Sequence, residues 1–295
     1  MPAAPRSPAP SSSPAPGGSS APTWDPGQYL RHSGHRARPF VDLLARVPEL
    51  PASSIASGGR PPRIADLGCG PGNVTRLLAE RWPTAHITGF DNSPQMLEQA
   101  QRLAGPTPGG GRLDFAAADA GGWAPPEGTY DLILSNATLQ WVPGHPGSFP
   151  AWIAALAPGG TFAFQVPGNF DAPSHVLMRE LAESERWRDR LGGQLRHADA
   201  VLPPTAYLER LVGLGCEADV WETTYLHLLE GEDPVLDWVK GTGLRPVLTA
   251  LEGDAEAREA FLSEYRQLLR KAYPAGAGGT VFPFRRVFGV ARRKG

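Results

Sequence analysis

The stretch "DLGCGPGN", residues 66–73, decides how the rest of the chain is read. It follows the apolar "RIA" and precedes "VTRLLAERW", so it reads as a strand end, a glycine loop and a helix start. Glycine reaches positive φ without strain and has no Cβ to hold a ligand away. Gly68, Gly70 and Gly72 therefore open backbone N–H groups at a helix N-terminus. The pyrophosphate fingerprint of dinucleotide-binding folds is G-x-G-x-x-G. Here the third glycine comes one place early, and Asp66 stands two residues before the first. A carboxylate beside the loop repels a diphosphate and suits a ligand bearing ammonium or sulfonium charge.

Working outward, "HITGFD", "RLDFAAAD", "YDLILSN" and "TFAFQVP" read as further strands, separated by the helical patterns "NVTRLLAERWP", "SPQMLEQAQRLA" and "FPAWIAALAPGG". Pro83 stops the first of these helices, Ser93 caps the second, and a Pro-Gly-Gly run stops the third. Alternation at this spacing predicts βαβ units and a parallel sheet. In such a sheet the ligand edge lies at the strand C-terminal ends, and Asp66, Asp91, Asp119 and Asn136 all fall there. Upstream, "YLRHSGHRARPFVDLLARV" reads as a helix that Pro39 kinks or splits. After residue 170, helical segments, the strand "CEADVWETTYLHLL", a helical insertion and a closing strand "FRRVFGVARRK" follow. The late helices are expected to cap the ligand edge. The expected fold class is α/β: a doubly wound, mostly parallel seven-stranded sheet with a helical cap.

The chain has 295 residues, 41% of them hydrophobic, enough for one large domain with elaborations. A net charge of −2 offers no basic field for nucleic acid or an anionic membrane surface. Two cysteines, Cys69 and Cys216, lie far apart without metal-ligand spacing, which fits a reducing compartment. No apolar run approaches a membrane span, so a cytoplasmic, membrane-free protein is expected. Residues 1–22 are proline, alanine, serine and glycine with Arg6 as their one charge, the composition of a disordered tail. The folded unit is expected over 23–295, with a cofactor half at about 60–168 and acceptor or cap elements from 23–50 and 170–280.

The loop from Asp66 to Gly72, the strand-end acids Asp91 and Asp119, and a fourth strand entering "SNATLQW" resemble the class I S-adenosylmethionine-dependent methyltransferases, a Rossmann-like fold. That resemblance implies S-adenosylmethionine as cofactor. Asp66, Gly68, Cys69, Gly70 and Gly72 would form the cradle for its methionine part. Asp91 with Asn92 would meet the ribose, Asp119 with Ala120 the adenine, and Asn136 with Ala137 the path to the methyl group. Hydroxyls and an exocyclic amine are donors, and carboxylates accept from both.

Segments outside those motifs, among them "WDPGQYLRHSGHRARPFVDLLARVP", "PSHVLMRE", "DWVKGTGLRP" and "FRRVFGVA", resemble the family that methylates trans-aconitate. This implies O-methylation of a carboxylate on a small polycarboxylic acid. The open alternatives are an amine or phenol acceptor, or a non-catalytic cofactor-binding protein. A carboxylate is ionised at neutral pH, so no general base is needed and no catalytic acid or base is expected. The expected signature is cations that hold the non-reacting carboxylates. Arg179, Arg245 (in a glycine-rich loop) and Arg286 are the candidates, with Trp24 and Tyr29 as a cover, and Arg36 and Arg38 on the N-terminal helix. Each arginine alone reads as readily as a surface ion pair. Trp141 reads as apolar core ahead of a border to the acceptor, Trp123 as adenine stacking or surface packing, and Cys69 as a small filler. His145, His175 and His227 read as structural histidines, and no metal site is expected.

Overall fold

The computed structural model describes residues 33–50, 59–196 and 198–295. The expected tail, Trp24 and Tyr29 lie outside the described residues, as does the side chain of Arg36.

Strand β1 (Arg63–Leu67) leads into helix α1 (Asn73–Arg81), and β2 (His86–Asp91) into α2 (Pro94–Ala100). Strands β3 (Arg112–Ala117) and β4 (Tyr130–Asn136), helix α3 (Phe149–Ala155) and β5 (Leu156–Pro167) complete the parallel part. Helices α4 (Pro173–Ala182) and α5 (Pro204–Gly213) precede the long β6 (Cys216–Leu229). Three helices, α6 (Pro234–Lys240), α7 (Arg245–Ala250) and α8 (Ala255–Ala272), then lead to β7 (Gly279–Arg293). The sheet runs β3-β2-β1-β4-β5-β7-β6, with β7 antiparallel to both neighbours. Two strands of two residues each, at 105–106 and 275–276, add to the seven expected from sequence.

Alternation along the strands builds two core layers. Ile64, Leu132 and Leu134 face one side, and Ala65, Leu67 and Ile133 the other, as the two-residue period of a strand dictates. The N-terminal helix (Ser33–Leu44, ending before α1) packs on the first layer through Phe40, Leu43 and Leu44. Pro39 lies inside that helix without splitting it in two. A third cluster forms where the far ends of β6 and β7 run past the sheet: Leu229, Phe282 and Phe284 pack there with Trp238 of α6 and Phe261 of α8. The late helices are thus fixed to the sheet through those extensions.

Local capping follows the sequence closely at α2, where the Ser93 hydroxyl accepts from the Met96 N–H and Pro94 opens the helix. The end of α3 differs from expectation. The helix stops at Ala155, and "LAPGG" already belongs to β5. Arg293 on the closing strand donates to the carbonyls of Ala154 and Leu156, satisfying acceptors that a longer helix would have used. No helix of the described residues is long and apolar enough to cross a membrane.

Candidate active site

The C-terminal ends of β1, β2, β3 and β4 open on a solvent-accessible cleft of about 1020 Å³. Its floor is the glycine loop. Gly68 N–H and Cys69 N–H both donate to the Phe90 carbonyl, at 2.7 and 3.0 Å, tying the loop to the end of β2. The Asp91 carboxylate accepts from Gly70 N–H and Ser93 N–H, each at 2.8 Å, so one side chain orders both the loop and the start of α2. Burial raises the Asp91 pKa, against the pull of those N–H donors. Gly68, Gly70 and Gly72 all have positive φ, 73°, 56° and 82°. A Cβ on Gly70 would meet nothing within 4 Å, so the backbone there lies open to the cleft. On the opposite wall Asp119 accepts from Gly121 N–H at 2.9 Å.

Eight residues expected at the cofactor line this cleft: Gly68, Gly70, Asp91, Asn92, Asp119, Ala120, Asn136 and Ala137. Asp66, Cys69 and Gly72 do not. They sit under the loop, Asp66 fully buried, with Thr75 of α1 donating to its Oδ2 at 2.7 Å. Oδ1 of Asp66 is buried with no hydrogen-bond partner. Burial, with Asp91 adding and the Thr75 bond opposing, pushes the Asp66 pKa from 3.8 to about 7. Burial and the two nearby carboxylates raise the Cys69 thiol far above its usual range, so it stays protonated, the inert filler expected.

A second cavity, of about 700 Å³, adjoins the cleft and shares Asn136, Ala137 and Trp141 with it. Ala137 has φ +55°, the one non-glycine residue with positive φ among those described. Gln165 bridges the two spaces: its Nε2 donates to Asn136 Oδ1 at 2.6 Å, and its Oε1 accepts from Arg286 Nη1 at 3.1 Å. Arg286, on β7, is buried and lies with its guanidinium carbon 4.7 Å from the Phe284 ring centre. Arg196 lines the same cavity with its guanidinium carbon 3.3 Å from the Trp141 ring centre and Nη1 donating to the Gln140 carbonyl at 3.0 Å.

Of the expected acceptor arginines whose side chains are described, only Arg286 lines this cavity. Arg179 instead approaches the Arg196 carbonyl, at 3.5 Å, from α4. Arg245 opens α7 rather than lying in a loop, because Pro246 favours the first turn of a helix. Arg38 is exposed, 5.3 Å from the Tyr225 ring centre. Arg196 was not expected; its neighbourhood "GGQLRHADA" carries no periodic pattern. Trp141 walls both spaces, the second of its two expected readings, rather than filling the core. Trp123 packs between Phe90 and Tyr130, each at 5.4 Å, as the packing reading held. His145 pairs with the Tyr207 hydroxyl at 2.7 Å, and His227 stacks on Trp238, both structural. Among the described residues no group of three or more His, Cys, Asp or Glu could hold a metal ion.

A loop-floored cleft at a topological switch point, with acids at successive strand ends, is the architecture of a nucleoside-dependent methyltransferase, and residues 64–160 match the family described as "Methyltransferase domain". Phosphoethanolamine N-methyltransferase 2 of Haemonchus contortus, solved with S-adenosyl-L-methionine, shares the fold at a TM-score of 0.53 and 16% identity, over 91% of this chain and 56% of that one. Much nearer relatives are the trans-aconitate 2-methyltransferases of Streptomyces coelicolor (71% identical, covering 92% of this chain and 87% of that protein) and Streptomyces avermitilis (72%, covering 92% and 97%). That of Mycobacterium tuberculosis is 44% identical, covering 92% and 99%. The chain belongs to the trans-aconitate 2-methyltransferase family.

Proposed function

We propose that this chain methylates a carboxylate of trans-aconitate with S-adenosylmethionine, giving the monomethyl ester and S-adenosylhomocysteine. The observation that carries the reading is the shared wall of Asn136, Ala137 and Trp141 between a cofactor-sized cleft and a cavity bearing the buried Arg286 and the half-buried Arg196.

The residues present fit the cofactor. Gly70 leaves open room where a Cβ would stand, and Asp66 keeps an orphaned carboxylate oxygen beneath the loop, an acceptor suited to a cationic ligand. Asp91 with Asn92 would hold the ribose hydroxyls, and Asp119 with Ala120 the adenine. Gly68 and Gly70 would cradle the methionine part, with Asp66, Cys69 and Gly72 supporting them from below. When bound, S-adenosylmethionine supplies an electrophilic methyl group: the carboxylate oxygen forms the new C–O bond as the C–S bond breaks, and its electron pair passes to sulfur.

The protein's own work is alignment and exclusion of water. Asn136, Ala137 and Trp141 set where the two ligands meet, and Arg286 offers a planar fork to a non-reacting carboxylate. No proton has to leave the acceptor, because a carboxylate is ionised at neutral pH. We assign 60–168 to the cofactor half and 23–50 with 170–280 to the acceptor side. Two free, buried cysteines and a net charge of −2 support a cytoplasmic enzyme for a small acid with no nucleic-acid partner.

The test is a mass-resolved assay with trans-aconitate, cis-aconitate, citrate and isocitrate. A product one methyl heavier, formed far faster from trans-aconitate than from the others, is the expected result. Cofactor binding without methylation of any acid overturns the assignment and points to amine or phenol acceptors.

A further inference from the structure

We infer that Arg196 and Arg286 form a two-point clamp that selects acceptors carrying two carboxylates besides the one that reacts. This rests on the carboxylate reading above. It adds a residue, Arg196, that the sequence did not indicate, and a rule for what the cavity admits.

The described lining of the cavity is cationic: no Asp or Glu is among the described residues that line it. Among the described residues Arg196 makes no ion pair; its partners are the Gln140 carbonyl and the faces of Trp141 and Phe170. Surface arginines of this chain do find carboxylates, as Arg60 does with Asp131 at 2.6 Å and Arg270 with Asp233 at 2.6 Å. A largely desolvated cation whose protein contacts are all neutral leaves its charge uncompensated, and an anionic ligand is the partner that removes that cost. Burial lowers the Arg196 pKa to about 9, which still leaves it charged at neutral pH.

Geometry makes the two arginines a preformed pair. Arg196 lies over the Trp141 ring, and one bond to the Gln140 carbonyl ties its fork, leaving most of its five N–H groups for a ligand. Arg286 comes from the sheet and is held by Gln165. Asn169, also on the cavity, has a buried Nδ2 with no partner, a further donor suited to a carboxylate oxygen. His175, the remaining titratable group there, has its pKa pushed down to about 4 by burial and then by Arg196 and Arg179. It is neutral at working pH, so the cavity's positive charge comes from the two arginines. Two forks with the methyl path at the shared wall call for three carboxylates: two held and one reacting. The monomethyl ester cannot re-enter in another orientation without setting its ester against a guanidinium, so reaction stops after one methyl.

The test compares trans-aconitate with cis-glutaconate, the same skeleton without the middle carboxylate. Binding to the full chain saturated with S-adenosylhomocysteine is followed by calorimetry, with KM and kcat measured alongside, for wild type, Arg196→Met, Arg196→Lys and Arg286→Met. Both methionine variants should weaken trans-aconitate about 100-fold, in KM rather than kcat, since truncating one side of a buried charge pair has effects of this size. Only one of the two should weaken cis-glutaconate, which engages a single arm. Arg196→Lys should recover part of the loss. Affinity for S-adenosylhomocysteine should stay within a few-fold, which a merely structural role at Trp141 would not preserve. If Arg286→Met does not fold, the Arg196 pair decides alone. An Arg196→Met enzyme with unchanged KM for trans-aconitate overturns the clamp, as does equal weakening of both acids by both variants. A wild-type enzyme that binds S-adenosylhomocysteine but neither binds nor methylates trans-aconitate overturns the underlying reading and the clamp with it.

Discussion

Thr138 occupies the space that any side chain at Gly68 would need. Its hydroxyl donates to the Gly68 carbonyl at 3.1 Å, and a Cβ built on Gly68 would stand 2.1 Å from the same oxygen. The end of β4 thus locks the floor of the cleft from above. Gly68→Ala must displace Thr138 and also hold alanine at φ +73°, a conformation that costs about 1–2 kcal/mol for a residue with a Cβ. The expected outcome is a lower melting temperature together with at least ten-fold weaker S-adenosylmethionine binding by calorimetry. Unchanged values for both would mean that the loop does not depend on this contact.

Gly70 offers the opposite case. A side chain there meets open cleft rather than protein. Gly70→Val should therefore lower the melting temperature by only a few degrees, from the strain at φ +56°. It should also abolish detectable cofactor binding, because its methyl groups fill the cradle. Melting curves and calorimetry on one preparation separate the two effects.

Asp91 holds the loop and faces the cleft at once, so Asp91→Ala should remove both the ribose acceptor and the tie between Gly70 and Ser93. The expected loss of S-adenosylmethionine affinity is about 100-fold, as for charge-assisted hydrogen bonds. KM for the acceptor should change far less when cofactor is saturating. Affinity within a factor of two of wild type would remove Asp91 from the ribose role.

Asp66 makes cofactor binding and stability respond to pH in opposite directions. Its pKa rises from 3.8 to about 7 in the folded chain, first through burial. The stability it contributes is full below about pH 4 and is lost as pH rises to about 7, because the unfolded chain ionises first. A cationic ligand favours the ionised form, so S-adenosylmethionine should bind more weakly as pH falls below about 7. Asp66→Asn should melt higher than wild type by a margin that opens between pH 4 and 7 and is constant above. It should also lose the pH dependence of cofactor binding. With cofactor saturating, the rate should stay nearly flat from pH 6 to 9, since a carboxylate acceptor is ionised throughout. Measurements of melting temperature, cofactor affinity and rate at four pH values check all three statements.

The sheet and its ligand edge were legible in the sequence because each strand and helix carries its own local pattern. Asp66-x-Gly68-x-Gly70-x-Gly72 sits at a strand end, Ser93 and Pro94 mark a helix start, and "YDLILSN" is apolar enough for a central strand. The acceptor side was harder. Arg196 becomes meaningful only against Trp141, 55 residues earlier, and no spacing rule connects them. Trp141 itself looks like core, because a tryptophan that walls a cavity and one that fills a core have the same composition around them. The start of β5 was misplaced for a similar reason. Proline and glycine usually end helices, but here they fall within the strand, and Arg293, from the far end of the chain, takes up the carbonyls of Ala154 and Leu156.

The shared wall also sets how freely the two ligand spaces can change. Apart from Asn136, Ala137 and Trp141, the cleft draws on residues up to Pro143, whereas the cavity draws mainly on residues from Gln165 to Arg286. Substitutions in the later part of the chain can therefore remodel the acceptor without rebuilding the cofactor seat. The three common residues are the exception, and Ala137, held in a backbone conformation that few residues tolerate, is the least replaceable of them. Lineages of this architecture can explore new acceptors by drifting in one half of the gene, with that narrow partition as the part that stays put.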